Sequence, residues 1–151
     1  MIVKEIELFK NIDFAVINKI AEICIEENYA KDTVLFEKGQ DATSLYILEA
    51  GTINLVIQNG GTLTYSLSEP GEVFGWSSMV EAGRYTASGV SVTDVQAVKM
   101  EKEMLDKIFS IHPDAGLIIL KRLAVVISRR LSNAYRELLS ARKADATPSY
   151  G

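Results

Sequence analysis

The residues best suited to bind a ligand lie in segment 70–88, which reads PGEVFGWSSMVEAGRYTAS. A strand-like run ends at Phe74, and Gly75 then opens a short segment that carries Ser77 and Ser78. Glycine lets the backbone approach a ligand closely, and the first amides of a short helix point outward as unpaired donors. The segment therefore predicts a turn that can hold a small anion.

Three further side chains of this segment bear on what such a turn would bind. Arg84 could supply a positive charge to an anion if the path of the loop allows it. Trp76 and Tyr85 could stack on a flat ligand. The alternative is that these two rings fill the space that a ligand would occupy, which is the commoner use of large aromatic side chains. The sequence leaves both interpretations open.

Short apolar runs separated by glycine-rich turns occupy the middle of the chain, and these runs must position the segment. The Asn59-Gly60-Gly61 sequence between two of them is a strong hairpin signal. Strands this short at this spacing predict a sandwich or barrel, with a jelly roll among the candidates. The predicted strands are 34–36, 45–48, 53–57, 63–67, 86–92 and 95–98, together with the run that ends at Phe74.

Helical patterns flank the predicted strands. Asp13 can cap a first helix, a second begins near Glu101, and Pro113 stands where the first turn of a last long helix tolerates proline. Apolar residues at helical spacing predict the buried faces of the first two helices. Those faces are Ile17, Ile20, Ala21 and Cys24 in the first helix, and Met104, Leu105, Ile108 and Phe109 in the second.

The last helix carries an apolar seam at steps of three and four over three heptads, a pattern typical of helix pairing. The simpler alternative is an amphipathic helix docked on its own barrel. Because Leu123, Val125 and Val126 add apolar surface beyond the seam, we expect one face on the barrel and one on the partner helix of a homodimer. Arg129 and Arg130 are predicted to be solvated flanks of the seam. The seam residues are Leu117, Leu120, Ala124, Ile127, Leu131, Ala134 and Leu138.

The composition limits the classes of protein that the chain can represent. Its 151 residues, 48% apolar and 24% charged, are ordinary for one globular domain, and a net charge of −4 gives no basic field for nucleic acid. The N-terminus does not read as a signal peptide, and no stretch approaches the roughly 20 apolar residues of a membrane span. One cysteine, Cys24, and one histidine, His112, predict neither a disulfide nor a metal cluster. We expect a cytoplasmic protein that is not an enzyme. Within its single domain we expect an N-terminal helical segment at 1–28, a barrel at 29–100, helices at 101–143 and a flexible tail at 144–151.

Several motifs resemble those of cyclic nucleotide-binding domains. Segment 39–51, GQDATSLYILEAG, resembles their turn-strand-turn signature, in which a glycine, a Leu-Tyr pair and a second glycine follow each other at intervals of six. The PGEVFG run resembles the strand entering that family's phosphate-binding cassette. The helix with Arg129-Arg130-Leu131 resembles the dimerisation helix of the catabolite-activator type of bacterial regulator. This resemblance, from about Leu8 to Leu139, implies a mainly β fold: an eight-stranded jelly-roll barrel with flanking helices and a ligand held between the cassette and the long C-terminal helix.

The cassette departs from the family pattern at two positions. After Phe-Gly the family places a glutamate that accepts a hydrogen bond from the ribose 2′-hydroxyl, whereas this chain has Trp76, which offers one N–H donor and no acceptor. Alignment on Thr86-Ala87 places Tyr85 where the family has an arginine for the cyclic phosphate. Arg84 lies one residue earlier, on the other face of an extended strand. Conventional binding of cyclic AMP or cyclic GMP is therefore expected to be weak.

The resemblance implies a dimeric sensory domain in signal transduction or transcription regulation. Its atypical pocket would take a cyclic nucleotide or another small anion, with no other cofactor. No helix-turn-helix module follows the long helix, so no direct DNA binding is expected. The alternatives are an adaptor dimer with a closed pocket and a protein partner of a transcription regulator. The family's base-contacting positions on the terminal helix correspond to Ala134 and Tyr135, of which only Tyr135 has a polar handle. The candidate ligand-binding residues are therefore Gly75, Trp76, Ser77, Ser78, Arg84, Tyr85, Thr86, Ala87 and Tyr135.

Overall fold

Eight strands and three α-helices form within the residues that the computed structural model describes, which are 5–80 and 83–146, with side chains up to residue 142. A short 3-10 helix at Glu7–Phe9 precedes helix α1, Phe14–Ile23. The strands are β1 Ile25–Tyr29, β2 Val34–Phe36, β3 Ser44–Ala50, β4 Ile53–Gln58, β5 Thr62–Leu67, β6 Val73–Phe74, β7 Ser88–Ser91 and β8 Val95–Glu101. A 3-10 turn, Trp76–Met79, follows β6, and helices α2 Lys102–Ile111 and α3 Pro113–Ala146 follow β8.

The strands form two antiparallel four-stranded sheets, in the orders β1-β8-β3-β6 and β2-β7-β4-β5. Strands β4 and β5 pair as far as Gln58 opposite Thr62, so the predicted hairpin turn at 59–61 is confirmed. Its Gly60 has a φ of 71°, a left-handed conformation that glycine adopts without steric cost. Residues of both sheets meet inside the barrel in one apolar core, the barrel core. The predicted jelly-roll barrel with flanking helices is confirmed.

Strand β3 shows how the barrel and the helices are joined. Ser44 to Leu48 are all buried, because both faces of this strand are covered. Tyr46 and Leu48 point into the barrel core, whereas Leu45 and Ile47 point into a second core against the helices. Strand β8 divides its residues in the same way, with Val95 and Ala97 in the barrel core and Val98 and Met100 in the helix core.

The first four residues of strand β1 lie within the segment 1–28, which the sequence predicted to be helical. Its sequence, IEENY, carries two glutamates and does not alternate apolar with polar residues, so strand periodicity gave no signal. Pairing with β8, from Ile25 opposite Lys99 to Tyr29 opposite Val95, makes it a strand. Tertiary pairing thus outweighs the local pattern. The predicted strand at 86–92 is also shorter than expected, since β7 begins at Ser88 and ends at Ser91.

The helix faces differ from the prediction at their edges. In α1, Ile17 and Ile20 are buried as predicted, but Ala21 is exposed and Val16 is buried in its place. The helix ends at Ile23 because Cys24 has the extended angles φ −69° and ψ 129°. In α2, the predicted residues Leu105 and Ile108 are buried, Phe109 is half-buried and Met104 is exposed.

Helix α3 begins at Pro113, as predicted, and contacts the helix core along its first half, as far as the half-buried Ile127. Ala115, Ile119 and Leu123, four residues apart on one face, are buried there. Of the predicted seam, Ile127 and Ala134 are half-buried and the other five residues are exposed in the single chain. Part of the predicted flexible tail, residues 144–146, belongs to α3, and residues 147–151 lie outside the described residues.

Candidate functional site

The turn after β6 takes its shape from a glycine. Gly75 has a φ of 76°, and a Cβ added there would lie 3.0 Å from the Ser44 carbonyl oxygen and from the Tyr46 ring. Any other residue would therefore be both strained and crowded at this position. The 3-10 turn Trp76–Met79 starts directly from it and holds Trp76 against α3.

The two serines of this turn, Ser77 and Ser78, are buried, and both hydrogen-bond donors of Ser78 are used within the turn. Its hydroxyl donates to the Gly75 carbonyl at 2.9 Å, and its backbone amide donates to the same oxygen at 3.2 Å. The Ser77 carbonyl accepts from the Val80 amide at 3.2 Å. Ser78 therefore has no donor left for a ligand, contrary to its predicted role as an anion contact.

The Arg84 side chain lies at the surface, against Gly39 and Asp41. Its Nη1 donates to the Gly39 carbonyl at 2.9 Å, and its Nη2 lies 3.6 Å from Asp41 Oδ1. The Arg84 side chain is 68% exposed. Because Arg84 pairs with Asp41 in an antiparallel bridge, the next side chain, that of Tyr85, turns inward. The sequence left the inward position open between these two residues, and Tyr85 occupies it.

Tyr85 is a packed residue with both polar functions of its hydroxyl in use. It is only 5% exposed, and its ring lies 4.1 Å from the Phe36 ring, centroid to centroid, in a stacked arrangement. The hydroxyl donates to the Ser44 carbonyl at 2.9 Å and accepts from the Ser44 amide at 3.1 Å. Burial raises the pKa of the Tyr85 hydroxyl, so it stays protonated at neutral pH. Tyr85 therefore fills space and presents no free polar group.

A cavity of about 300 Å³ lies between the barrel and α3. Its walls come from the β2-β7-β4-β5 sheet, from the turn after β6, from residues 85–87 before β7 and from one face of the helix. Six of the nine predicted ligand-binding residues line it: Gly75, Trp76, Ser77, Tyr85, Thr86 and Ala87. The remaining lining residues are Phe36, Leu55, Ile57, Leu63, Tyr65, Ile127, Arg130, Leu131 and Ala134.

Three predicted residues lie outside this cavity: Ser78, Arg84 and Tyr135. Tyr135 is 56% exposed, and its neighbour Ala134 lines the cavity instead. Each step along a helix turns the side chain by about 100°, so Ala134 can line the cavity while Tyr135 faces solvent. The structure therefore brings together the turn and the barrel wall but not the predicted polar handle on α3.

The polar group that the helix does present is Arg130, which the sequence interpretation had grouped with the solvated flanks. Its guanidinium carbon lies 4.6 Å from the centroid of the Trp76 ring. Its Nη1 is buried and makes no hydrogen bond with any described residue. Burial lowers the pKa of Arg130, an effect that nearby Glu72 and Tyr65 oppose, and guanidinium groups remain charged in proteins. Arg130 is therefore a charged donor without an acceptor at the cavity wall.

Helical spacing could have revealed Arg130. It lies three residues after Ile127 and four before Ala134, both of which line the cavity, so all three share one face of α3. Arg129, one step away, is exposed and does not line the cavity. The paired arginines looked equivalent in the sequence because the path of the helix across the barrel was not known.

The described residues include neither a grouped set of metal ligands nor a membrane-crossing helix. Within residues 5–80 and 83–146, no three or more His, Cys, Asp and Glu side chains are grouped so that they could hold a metal ion. None of the helices in the described part of the chain is both long enough and apolar enough to cross a membrane.

Comparison with known proteins places this geometry in a family. The family model described as "Cyclic nucleotide-binding domain" matches residues 26–112, which is more than half of the chain. A cyclic AMP receptor protein of Thermus thermophilus is 29% identical over 112 residues, which are 73% of this chain and 50% of that protein. Glutaminase 2 of Bradyrhizobium diazoefficiens is 29% identical over 136 residues, 89% of this chain but 21% of that protein. The chain thus spans between about a fifth and a half of these two relatives.

Solved structures share the fold. A cyclic nucleotide-binding domain from Methylobacillus flagellatus superposes with a TM-score of 0.79 at 21% identity, covering 93% of this chain and 80% of that one. The Thermus thermophilus catabolite activator protein superposes with a TM-score of 0.69 at 24% identity, covering 89% of this chain and 62% of that one. The resemblance predicted from residues 39–51 and the cassette is confirmed.

Proposed function

This chain belongs to the cyclic nucleotide-binding domain family, and on that premise we propose that it is a sensory and regulatory domain that binds a small ligand between its barrel and α3. The observation that carries the proposal is the cavity of about 300 Å³, which lies at the small end of the range for ligand sites. Six of the nine residues expected from the sequence line it.

We propose further that the pocket is atypical for its family. Trp76 stands where the family pattern has the ribose-binding glutamate, and Tyr85 stands where it has the phosphate-binding arginine. A charge-assisted arginine–phosphate pair contributes about 1.5–3 kcal/mol, and an unpaired buried hydroxyl costs about 1–3 kcal/mol. Together these losses weaken cyclic AMP binding by roughly two to four powers of ten. Cyclic AMP is therefore not the expected signal.

The proposal includes a homodimer formed through the α3 seam, acting in signal transduction. Leu117, Leu120 and Leu131 are apolar and exposed in the single chain, as a pairing surface requires. Ile127, Leu131 and Ala134 belong both to the seam and to the cavity wall. A ligand that contacts these side chains would change the surface offered to the partner helix, and so shift the dimer between conformations.

We propose a cytoplasmic regulatory role without a reaction of its own and without direct DNA contact. The match to Glutaminase 2 covers 21% of that protein, so it supports a shared module rather than shared chemistry. A second candidate function is an adaptor dimer, or a partner subunit of a transcription regulator, with a closed pocket. One observation favours it: the Trp76 ring has Arg130 over one face and Tyr85 is fully packed, so neither ring is free on both sides.

Thermal-shift screening of the protein against cyclic AMP, cyclic GMP, cyclic dinucleotides and simple organic anions tests the proposal. A ligand at about one hundred times its dissociation constant adds about 2.7 kcal/mol and raises Tm by several degrees. Ala134→Phe should abolish the shift because it fills the cavity. Ala124→Phe is the matched control, since it lies on the same seam but does not line the cavity. No shift by any compound would favour the adaptor.

A further inference from the structure

We propose that the cavity is selective for a small amphipathic monocarboxylate, whose carboxylate binds Arg130 from the helix side and whose apolar body lies against the barrel wall. This inference rests on the proposed ligand-binding function and names the class of ligand. It moves the charged contact from the cassette, where the family pattern has it, to α3.

The polar contact of the proposed ligand is the unpaired donor Arg130 Nη1. Buried charged donors almost always have an acceptor, and Arg130 Nη1 has none among the described residues. The Trp76 ring lies 4.6 Å from the guanidinium carbon and holds the guanidinium against one wall. A guanidinium over an aromatic face still has N–H groups that can bind a carboxylate, its best-matched partner. Arg130 lines the cavity but its Nη1 is enclosed by protein, so a carboxylate in the cavity would give Nη1 an acceptor when the guanidinium turns towards it.

Charge balance favours a single negative charge on the ligand. Among the described residues, Arg130 is the only charged side chain that lines the cavity. The nearby carboxylate of Glu72 already accepts from the Ser68 and Glu69 amides, at 3.1 and 3.0 Å. One monoanion neutralises the guanidinium, whereas a dianion such as a phosphate monoester would leave uncompensated negative charge in a poorly solvated space.

A cyclic nucleotide also carries one charge, but the rest of its structure does not suit these walls. Its ribose hydroxyl would need an acceptor, and Trp76 offers only a donor. The opposite walls are built from hydrocarbon, among them Leu55, Ile57 and Leu63, with the ring of Tyr65 beside them. A space of about 300 Å³ with such walls suits a ring or branched chain with a short acidic arm.

Titration calorimetry with phenylacetate and its uncharged amide, phenylacetamide, tests this inference on the unmodified protein. The two probes have nearly the same shape, so they differ mainly in the charge offered to Arg130. We expect phenylacetate to bind about ten to one hundred times more tightly than phenylacetamide, the ratio typical of a charge-assisted contact. Equal binding of the two probes, or no binding of phenylacetate, would overturn the inference.

Two variants place the selectivity on one residue. Arg130→Met should bring phenylacetate to the affinity of phenylacetamide, whereas Arg129→Met should leave the ratio unchanged because Arg129 is exposed and does not line the cavity. Phenylacetate binding that survives Arg130→Met would refute the assignment to Arg130. If Arg130→Met does not fold, the comparison of the two probes on the unmodified protein still decides.

The outcomes separate this inference from the function beneath it. Tight binding of a cyclic nucleotide or an uncharged compound could be blocked by Ala134→Phe but not by Arg130→Met. That result would overturn the proposed selectivity for a monocarboxylate and leave the proposed ligand-binding function in place. Silence of the whole panel, phenylacetate included, would remove both.

Discussion

On the barrel wall of the cavity Tyr85 has both functions of its hydroxyl bonded to Ser44, whereas on the α3 wall Arg130 keeps a buried donor with no acceptor. The barrel wall is where the family pattern places its charged contacts. In this chain Tyr85 is tightly packed there, and its hydroxyl is fully hydrogen-bonded. The helix wall, which the sequence predicted to hold only Tyr135 as a polar group, carries the charge. The contrast moves the charged group of the proposed site from the barrel wall, where the family pattern has it, to the helix wall.

The largest effect that we expect concerns the seam of α3. Leu120→Glu combined with Ile127→Glu places four carboxylates in the proposed dimer interface, and this weakens the dimer more than about a thousandfold because charges are buried without partners. Light scattering should then report the mass of a monomer. Lys121→Glu with Ser132→Glu, at exposed positions off the seam, is the control that should leave the mass unchanged. An unchanged mass in the seam variant would remove the dimer from the proposal.

Tyr85→Arg tests whether the barrel wall is too tightly packed at Tyr85 to accept a charged side chain. The substitution removes two buried hydrogen bonds and the stack on Phe36, and it buries a charge, so we expect a loss of about 3–4 kcal/mol in the free energy of unfolding. Urea denaturation measures it. Tyr85→Phe keeps the ring and should lose only about 1–2 kcal/mol. If Tyr85→Arg were as stable as the parent, the barrel wall would have room for a charge and the contrast between the walls would fail.

Trp76→Glu supplies Arg130 with an acceptor from the protein itself. The new carboxylate should pair with the guanidinium and compete with a bound carboxylate, which weakens phenylacetate binding by about tenfold or more. Calorimetry on Trp76→Glu and on the control Trp76→Phe, which keeps an aromatic face under Arg130, measures the difference. Undiminished binding in the glutamate variant would count against Arg130 as the anchor.

The smallest effect belongs to Arg84, the arginine among the candidate ligand-binding residues of the sequence. Arg84→Ala removes an exposed ion pair with Asp41, and such pairs contribute about 0–1 kcal/mol. We expect a change of that size in urea denaturation and no change in phenylacetate affinity. A large loss of affinity would mean that the loop can bring Arg84 to the ligand.

The sequence predicted the parts of this molecule that have strong local signals. Seven of the strands were placed by their apolar runs, the turn at 59–61 by its glycines, and the start of α3 by Pro113. Strand β1 was missed because only its pairing with β8 makes IEENY a strand. Local sequence patterns therefore predicted most strands of the barrel but not β1, which depends on tertiary pairing.

The candidate site was predicted on one wall only. Gly75, Trp76 and Ser77 were found because the turn has a recognisable composition. Strand alternation turned only one of Arg84 and Tyr85 inward and left open which of them it is. Arg130 was missed because its environment depends on which face of a long helix meets a barrel some fifty residues away in sequence. Its identity as an arginine was visible, but its burial was not.

The attachment of α3 along its first half has a mechanical consequence. Ala115, Ile119 and Leu123 are buried in the helix core, and the half-buried Ile127 packs against it. Beyond Ile127 the helix continues to Ala146, an arm of about 29 Å at 1.5 Å per residue. If the helix tilted as a rigid rod about Ile127, a tilt of about 10° would carry its far end through about 5 Å, close to the rise of one helical turn.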